Sequence, residues 1–357
     1  MPKNNVYIHY SGATDITGKK LQAALDITGG AKKPTAAKKF VIGWGCKTKD
    51  AVQFPADVTV LNHPNAIRNN RNKFKTLEAL RGHNINVANY VKAERVIAEL
   101  ERGDNNVVLP LVGRTNFHQG GKGFWLCITQ VQVQRAIREG AQYFQNYMDI
   151  KDEYRLHVFQ GKVICAQKKV RRNNMEEAYV AQHKEKVQAI AAKNEVALDD
   201  DTVDYVLGRL AKGSPFADMI VRSNTRGWKF SQQNIGNLNA GLKRLAADAI
   251  EAVDLQFGAV DCCTLENGDF AIIEINSGPG LQATSFDAYV KEMKAWIDKE
   301  RAPAPKAAEA VEAAVAKPAK AAGKKAPAGG AKAKLKARIA MVEDMLDVAD
   351  DKEADVL

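Results

Sequence analysis

The amino-acid sequence predicts a mixed α/β (α+β) protein with a basic, disordered C-terminal tail. Three observations lead to this fold class. Apolar runs of strand length alternate with amphipathic helical patterns from residue 1 to about 300. Two pairs of β-type runs are joined by tight-turn signals, which predicts antiparallel hairpins. Residues 301–334 are an Ala/Lys/Pro segment with too few large apolar side chains to bury a core.

Length and composition restrict the class of protein. The 357 residues are enough for two or three domains, and 45% of them are hydrophobic. No apolar run reaches the roughly 20 residues that a membrane span needs, and the first residues lack the pattern of a signal peptide. The five cysteines include no CxxC pair, so neither a disulfide framework nor a zinc site is predicted. We therefore expect a cytoplasmic protein with no membrane partner.

The net charge of +10 is unevenly distributed along the chain. Residues 301–338 hold ten Lys/Arg against two Glu, whereas residues 339–357 hold seven Asp/Glu against one Lys. The remaining body is also basic. This excess is compatible with nucleic-acid binding and equally with an enzyme that handles polyanionic phosphates.

The first elements along the chain predict a small N-terminal α/β unit. Its strands are expected in "KKFVIGWG" and "DVTVLNH", and the following "NRNKFKTLEALRGHNI" predicts a helix that leads into a second domain. The charged stretch at about 173–218 has a helical pattern and predicts an insertion or a helical cap. Residues 335–357 place apolar side chains at helical spacing, which predicts a short acidic amphipathic helix on a tether.

The segment "FGAVDCCTLENGDFAIIEIN" predicts a hairpin that carries carboxylates. If Asn267-Gly268 forms a two-residue loop, Asp261 lies directly opposite Glu274, and Asn276 shares their face one step further along. Opposed carboxylates destabilise a sheet unless a cation neutralises them, and these oxygen ligands suit Mg²⁺ or Mn²⁺. The alternative is a solvent-facing polar edge without a ligand. The isoleucines around Glu274 favour a buried strand and hence the metal site.

The segment "DEYRLHVFQGKVICAQKK" predicts a second hairpin, with Gln160-Gly161 as its loop. Counting from this loop places Glu153 opposite Lys168, with Arg155 and His157 on the same face. Such a face can bind phosphate, or it can be a solvated surface held by a cross-strand ion pair.

Two further segments carry phosphate-binding chemistry. In "LVGRTNFHQGGKGF" the glycines at 120, 121 and 123 let the backbone approach a phosphate closely, although a simple glycine-rich turn is the alternative. In "MIVRSNTRGWKF" Arg222 and Asn224 follow a strand, and arginine binds phosphate or carboxylate with two parallel hydrogen bonds. The alternative for this segment is a surface loop.

Taken in order, these segments resemble the ATP-grasp superfamily of carboxylate–amine ligases. They are similar to the ligases that add glutamate to a ribosomal protein and to ATP-grasp proteins encoded by tailed phages, over roughly residues 60–172 and 219–290. The resemblance implies an ATP-grasp fold, in which two subdomains grip ATP, and a host cytoplasm if the source is a phage. The domain prediction is an N-terminal domain (1–65), an ATP-grasp domain (66–300), a linker (301–334) and a terminal helix (335–357).

The resemblance also implies roles for individual residues. Asp261, Glu274 and Asn276 match the metal ligands, and Arg155, Arg222 and Asn224 match catalytic residues around the transferred phosphate. The residues that match nucleotide-binding positions are Lys73, Arg114, Gly120, Gly121, Lys122, Gln145, Asn146, Tyr147, Met148 and Lys168. Arg114 stands where the family usually has lysine, and Asn146 where many relatives have glutamate.

The activity implied by the resemblance is an ATP- and Mg²⁺-dependent ligase that forms an amide bond through an acyl phosphate. Its substrates would be a carboxylate and an amine on small molecules, peptides or proteins. The alternative is a nucleic-acid-associated ATP-binding protein that uses the basic tail, with the body in a binding or structural role. A protein partner on the tail and an oligomer are both compatible with the sequence.

Overall fold

The computed structural model describes residues 5–35, 37–48, 50–103, 106–118, 123–171, 188, 222 and 228–301. All of them belong to one unit, Met1–Ala302, and they form three β-sheets and seven α-helices. The predicted insertion, linker and terminal helix lie outside the described residues, apart from residues 188 and 301. None of the described helices is long and apolar enough to cross a membrane.

The first sheet is parallel and confirms the strands predicted near the N-terminus. In the order β2-β1-β3-β4 it contains β1 (Val6–Tyr10), β2 (Thr28–Gly30), β3 (Phe40–Trp44) and β4 (Thr59–Leu61). Helix α1 (Ile16–Leu25) connects β1 to β2 and begins after Asp15, whose carboxylate accepts a hydrogen bond from the Gly18 amide at 2.8 Å.

The helix predicted in residues 70–85 is α3 (Lys73–Gly82), and a separate helix that was not predicted, α2 (Pro64–Arg71), precedes it. Asn72 separates them because its backbone is extended (φ −80°, ψ 103°) and its side chain caps α3 by accepting a hydrogen bond from the Lys75 amide at 3.2 Å. This break places Lys73 in the first turn of α3.

The second sheet is antiparallel and has helices on one face. In the order β5-β8-β6-β7 it contains β5 (Tyr90–Lys92), β6 (Leu111–Arg114), β7 (Phe124–Cys127) and β8 (Tyr143–Asn146). Helices α4 (Ala93–Arg102) and α5 (Gln130–Arg138) supply apolar side chains to a core that includes Phe144. A capping box between Thr129 and Gln132 begins α5.

The third sheet is the largest and is antiparallel throughout. In the order β11-β10-β9-β12-β13 it contains β9 (Ile150–Phe159), β10 (Lys162–Arg171), β11 (Trp228–Gln233), β12 (Phe257–Leu265) and β13 (Phe270–Asn276). One of its faces packs on α6 (Ala240–Ala252). Helix α7 (Ala283–Arg301) joins it to the first sheet, since Tyr289 packs against both Trp44 and Phe257.

The β9–β10 hairpin has the predicted loop but not the predicted register. Gln160 and Gly161 both have positive φ, as a two-residue turn requires. A bulge at Ile164 then shifts the pairing by one residue, so that Lys168 faces Tyr154. The predicted Glu153–Lys168 pair was therefore wrong. Lys169 makes this ion pair with Glu153 instead.

The β12–β13 hairpin has the predicted carboxylate pair but not the predicted loop. The Leu265 amide donates to the Asp269 carbonyl at 2.8 Å, so these two residues pair and the loop has three residues rather than two. This shifts the register by one residue near the turn. A bulge beside Asp261 shifts it back, and Asp261 lies opposite Glu274 as predicted.

Asn62 connects the first sheet to the third. Its buried side-chain amide donates to the Phe257 carbonyl at 2.8 Å and accepts from the amides of Gln256 (2.7 Å) and Phe257 (3.0 Å). The backbone amide of Asn62 donates to the Gln256 side-chain oxygen at 2.6 Å. We expect Asn62→Ala to lower the free energy of unfolding by about 2–4 kcal/mol, since it leaves buried backbone groups unpaired.

The control for Asn62→Ala is Asn84→Ala, measured by urea unfolding. Asn84 has the same positive φ of 58° but an exposed side chain, so its replacement reports the backbone strain alone. Equal losses for the two variants would show that the hydrogen bonds of Asn62 contribute nothing.

Candidate functional site

A cavity of about 510 Å³ lies between the second and third sheets. The N-terminal turn of α3 and the loop Gly278–Gly280 complete its walls. Its polar and charged lining residues are Lys73, Thr76, Arg114, His118, Tyr143, Gln145, Asn146, Tyr147, Glu153, Arg155, Lys169, Arg222, Asp261, Glu274 and Asn276.

One row of side chains crosses three neighbouring strands on the cavity face of the third sheet. Arg155 of β9 lies opposite Asp261 of β12, and Asp261 lies opposite Glu274 of β13. Asn276 is on the same face, two residues beyond Glu274. The sheet register therefore brings the three predicted metal ligands together.

Both carboxylates of this row are paired with cations. Asp261 accepts two parallel hydrogen bonds from Arg155, with Nε–Oδ1 and Nη2–Oδ2 distances of 2.7 Å. Glu274 Oε1 lies 2.9 Å from Lys73 Nζ, which also donates to the Ile275 carbonyl at 2.9 Å. The predicted residues Lys73 and Arg155 are thus in the cavity, in contact with the carboxylates.

These cations keep the carboxylates ionised. Burial would raise the pKa of Asp261, but the charge and hydrogen bonds of Arg155 outweigh it and the pKa is below its ordinary value. Burial likewise opposes ionisation of Glu274, and Lys73 lowers its pKa overall. Two anionic carboxylates and an amide oxygen on one face fit a hard divalent cation. The described residues contain no cluster of three His, Cys, Asp or Glu side chains that could hold a metal. Asn276, the third predicted ligand, lines the same cavity.

One predicted site residue of β10, Lys168, needs correction. Lys168 points to the opposite face of the sheet, where its Nζ lies 2.7 Å from Asp152 Oδ1, and it does not line the cavity. Lys169 lines the cavity and pairs with Glu153, a carboxyl group whose pKa is raised by burial. The sequence analysis had Glu153 on the face of Arg155 but missed Lys169, because the bulge at Ile164 has no signal in the sequence.

Arg222 also reaches the cavity. Its Nη2 donates to the Ile150 carbonyl at 2.7 Å, and its guanidinium lies 4.9 Å from the centre of a Trp228 ring. Asn224 lies outside the described residues.

Arg114 and His118 form a contact at the rim of the glycine-rich segment. Arg114 Nη2 lies 2.7 Å from His118 Nδ1, and the guanidinium lies 5.4 Å from the centre of the Phe124 ring. Burial and the charge of Arg114 lower the pKa of His118 to about 4, so this imidazole is neutral at pH 7. The sequence analysis did not select His118, since a lone histidine four residues after an arginine is no motif. Gly120, Gly121 and Lys122 lie outside the described part of the chain.

The end of β8 and the connection to β9 line the cavity with Gln145, Asn146, Tyr147 and Met148. Their backbone is held in place, because the Asn146 amide donates to the Asn89 carbonyl (2.8 Å) and the Tyr147 amide to the Pro110 carbonyl (2.9 Å).

The loop after Asn276 packs directly on the first sheet. A Cβ atom at Gly278 would lie 2.7 Å from the Gly45 Cα, so only glycine fits without movement. The Gly45 amide donates to the Ser277 carbonyl at 3.3 Å. The end of β3 therefore supports the loop that closes one side of the cavity.

No protein-family model and no curated protein matches the chain. It is similar to the solved structure of the ATP-grasp ligase PsnB complexed with minimal precursor, Mg and ADP, with a TM-score of 0.51 and 11% identity over 82% of this chain and 98% of that one. It is also similar to carboxyaminoimidazole ribonucleotide synthase from Aspergillus clavatus complexed with ATP, with a TM-score of 0.51 and 15% identity over 85% of this chain and 79% of that one. The three sheets and these two similarities show that the chain has the ATP-grasp fold.

Proposed function

We propose that the chain is an ATP-dependent carboxylate–amine ligase that uses Mg²⁺, or Mn²⁺ in its place. The observation that carries this proposal is the row Arg155–Asp261–Glu274 beside Lys73, in a cavity between two sheets. Anionic oxygen ligands next to fixed cations suit a metal-bound polyphosphate better than an uncharged substrate.

The cavity divides into two parts in this proposal. The base of ATP would be surrounded by Gln145, Asn146, Tyr147 and Met148, at the end of β8 and in the connection to β9. Lys73, Arg114, Lys169 and the segment with Gly120, Gly121 and Lys122 would bind its phosphates. Asp261, Glu274 and Asn276 would hold Mg²⁺, which when bound supplies neutralisation of the phosphate charge that develops during transfer.

The proposed reaction has two steps. A substrate carboxylate attacks the γ-phosphate, which gives an acyl phosphate and ADP, and an amine then displaces phosphate to form the amide. Arg155 and Arg222 would orient the transferred phosphoryl group by paired hydrogen bonds, with Asn224 beside them. Enclosure between the sheets would protect the acyl phosphate from water.

A peptide or protein is the substrate class that we favour for the carboxylate. PsnB, the similar ATP-grasp ligase, is complexed with a minimal precursor as well as Mg and ADP.

All five cysteines are buried and free, which supports a reducing compartment such as the cytoplasm, or the host cytoplasm for a phage protein.

The test is ADP release by the full chain with Mg²⁺ and a panel of amino acids and peptides. We expect one substrate pair to stimulate ADP release, with an amide product detected by mass spectrometry. A chelator should abolish the stimulation, and Mg²⁺ or Mn²⁺ should restore it. Failure to bind ATP at all would contradict the proposal.

The nucleic-acid alternative rests on the basic residues of 301–338, which apart from Arg301 lie outside the described residues. It predicts that the full chain binds nucleic acid more tightly than residues 1–300 do, and that added salt removes the difference. Equal affinities, measured by fluorescence anisotropy at two salt concentrations, would exclude a role for the tail.

A further inference from the structure

The side chains that pair with the two carboxylates occupy the oxygens that a metal ion needs. Arg155 uses both oxygens of Asp261, and Lys73 takes one oxygen of Glu274. The side chain of Asp261 is only 6% exposed and that of Lys73 only 11%, so water screens these pairs weakly. A divalent cation must therefore compete with Lys73 and Arg155.

The charge of the cavity makes this competition unfavourable for a free metal ion. Its described lining contains five cationic side chains (Lys73, Arg114, Arg155, Lys169, Arg222) and three carboxylates (Glu153, Asp261, Glu274), an excess of two positive charges. A divalent ion alone would add two more positive charges to the cavity. A nucleoside triphosphate with one Mg²⁺ carries a net charge of about −2, which compensates the excess.

We propose that this metal site is completed by the nucleotide, through an exchange of ion-pair partners. The phosphates take over Lys73 and Arg155, and this releases the oxygens of Glu274 and Asp261 for the divalent cation. The inference rests on the proposed function, because it requires that the cavity bind a nucleotide. It goes beyond that function by assigning Lys73 a second role, which is to exclude free metal ions.

The two pairs differ in how readily they can exchange. Lys73 makes a single contact with Glu274, and its ammonium also has the Ile275 carbonyl as a partner, so it can turn towards a phosphate while remaining hydrogen-bonded. Arg155 is held by two hydrogen bonds and by the Phe230 ring, whose centre is 4.5 Å from its guanidinium carbon. Lys73 is therefore the residue whose removal tests the exchange with the smaller structural change.

The experiment measures Mn²⁺ binding to the full chain by the electron paramagnetic resonance signal of free Mn²⁺. For the unmodified protein we expect Mn²⁺ alone to bind weakly, and a non-hydrolysable ATP analogue to bind. For Lys73→Met we expect Mn²⁺ affinity without nucleotide to rise about tenfold, since a competing cation is gone, and affinity for the analogue to fall. Lys75→Met is the matched control, because Lys75 is exposed on the same helix.

Three results would overturn the exchange. The first is tight Mn²⁺ binding by the unmodified protein without nucleotide, which requires no variant. The second is unchanged nucleotide-free Mn²⁺ affinity in a Lys73→Met variant whose melting temperature matches that of Lys75→Met. The third is failure of the unmodified protein to bind the analogue, which would reject the proposed function as well. The first two leave the ligase proposal intact.

Discussion

Glu274→Gln is expected to reduce nucleotide-dependent ADP release at least about 100-fold, because it removes an anionic metal ligand next to the transferred phosphate. The amide oxygen of glutamine can still accept the hydrogen bond from Lys73, whose Nζ lies 2.9 Å from Glu274 Oε1. We therefore expect the variant to fold, with a free energy of unfolding within about 2 kcal/mol of the unmodified protein. Steady-state ADP release at saturating Mg²⁺ and urea unfolding measure the two quantities.

Glu266→Gln is the matched control for this substitution. Glu266 lies in the exposed loop of the same hairpin and does not line the cavity. Its replacement should leave ADP release unchanged. If Glu274→Gln keeps the activity of Glu266→Gln, then Glu274 is not a metal ligand and the site needs another assignment.

Arg155→Met is expected to lower the free energy of unfolding by about 3–5 kcal/mol, because it leaves the buried carboxylate of Asp261 without its partner. The side chains of Arg155 and Asp261 are 20% and 6% exposed, and two hydrogen bonds of 2.7 Å join them. Adding Asp261→Asn to Arg155→Met should recover part of this loss, since an amide costs less to bury than an unpaired charge. Urea unfolding of the two single variants and the double variant measures the coupling.

Arg135→Met is the control for the Arg155 prediction. Arg135 pairs with Glu139 on the surface, where the arginine side chain is 73% exposed. Its loss should lower the free energy of unfolding far less than the loss of Arg155 does, because water screens an exposed ion pair. A double variant as unstable as Arg155→Met alone would show that the unpaired Asp261 charge is not the source of the instability.

The sequence predicted the Asp261–Glu274 pair through two errors that cancel. The loop after Leu265 has three residues rather than the predicted two, which displaces the pairing by one residue. The bulge beside Asp261 displaces it back. Burial explains why this register is the stable one, since a one-residue slip would turn Ile272 and Ile275 from the core to the cavity.

No such correction occurs in the β9–β10 hairpin. Its loop follows the prediction, so the bulge at Ile164 moves every later pair by one residue. Lys168 and Lys169 are adjacent and identical in type, and only the position of the bulge decides which of them faces the cavity. The physical cause is the alternation of side chains along a strand, which converts a shift of one residue into a change of face.

The sequence by itself determined the mixed α/β class, both hairpins and the carboxylate pair. These features depend on local periodicity and turn chemistry, which are written in consecutive residues. The tertiary structure decided which lysine enters the cavity, that His118 contacts Arg114, and that Lys73 and Arg155 hold the carboxylates of Glu274 and Asp261. These contacts join residues up to 201 positions apart, from Lys73 to Glu274, and depend on bulges and on the packing of separate sheets, neither of which leaves a local pattern.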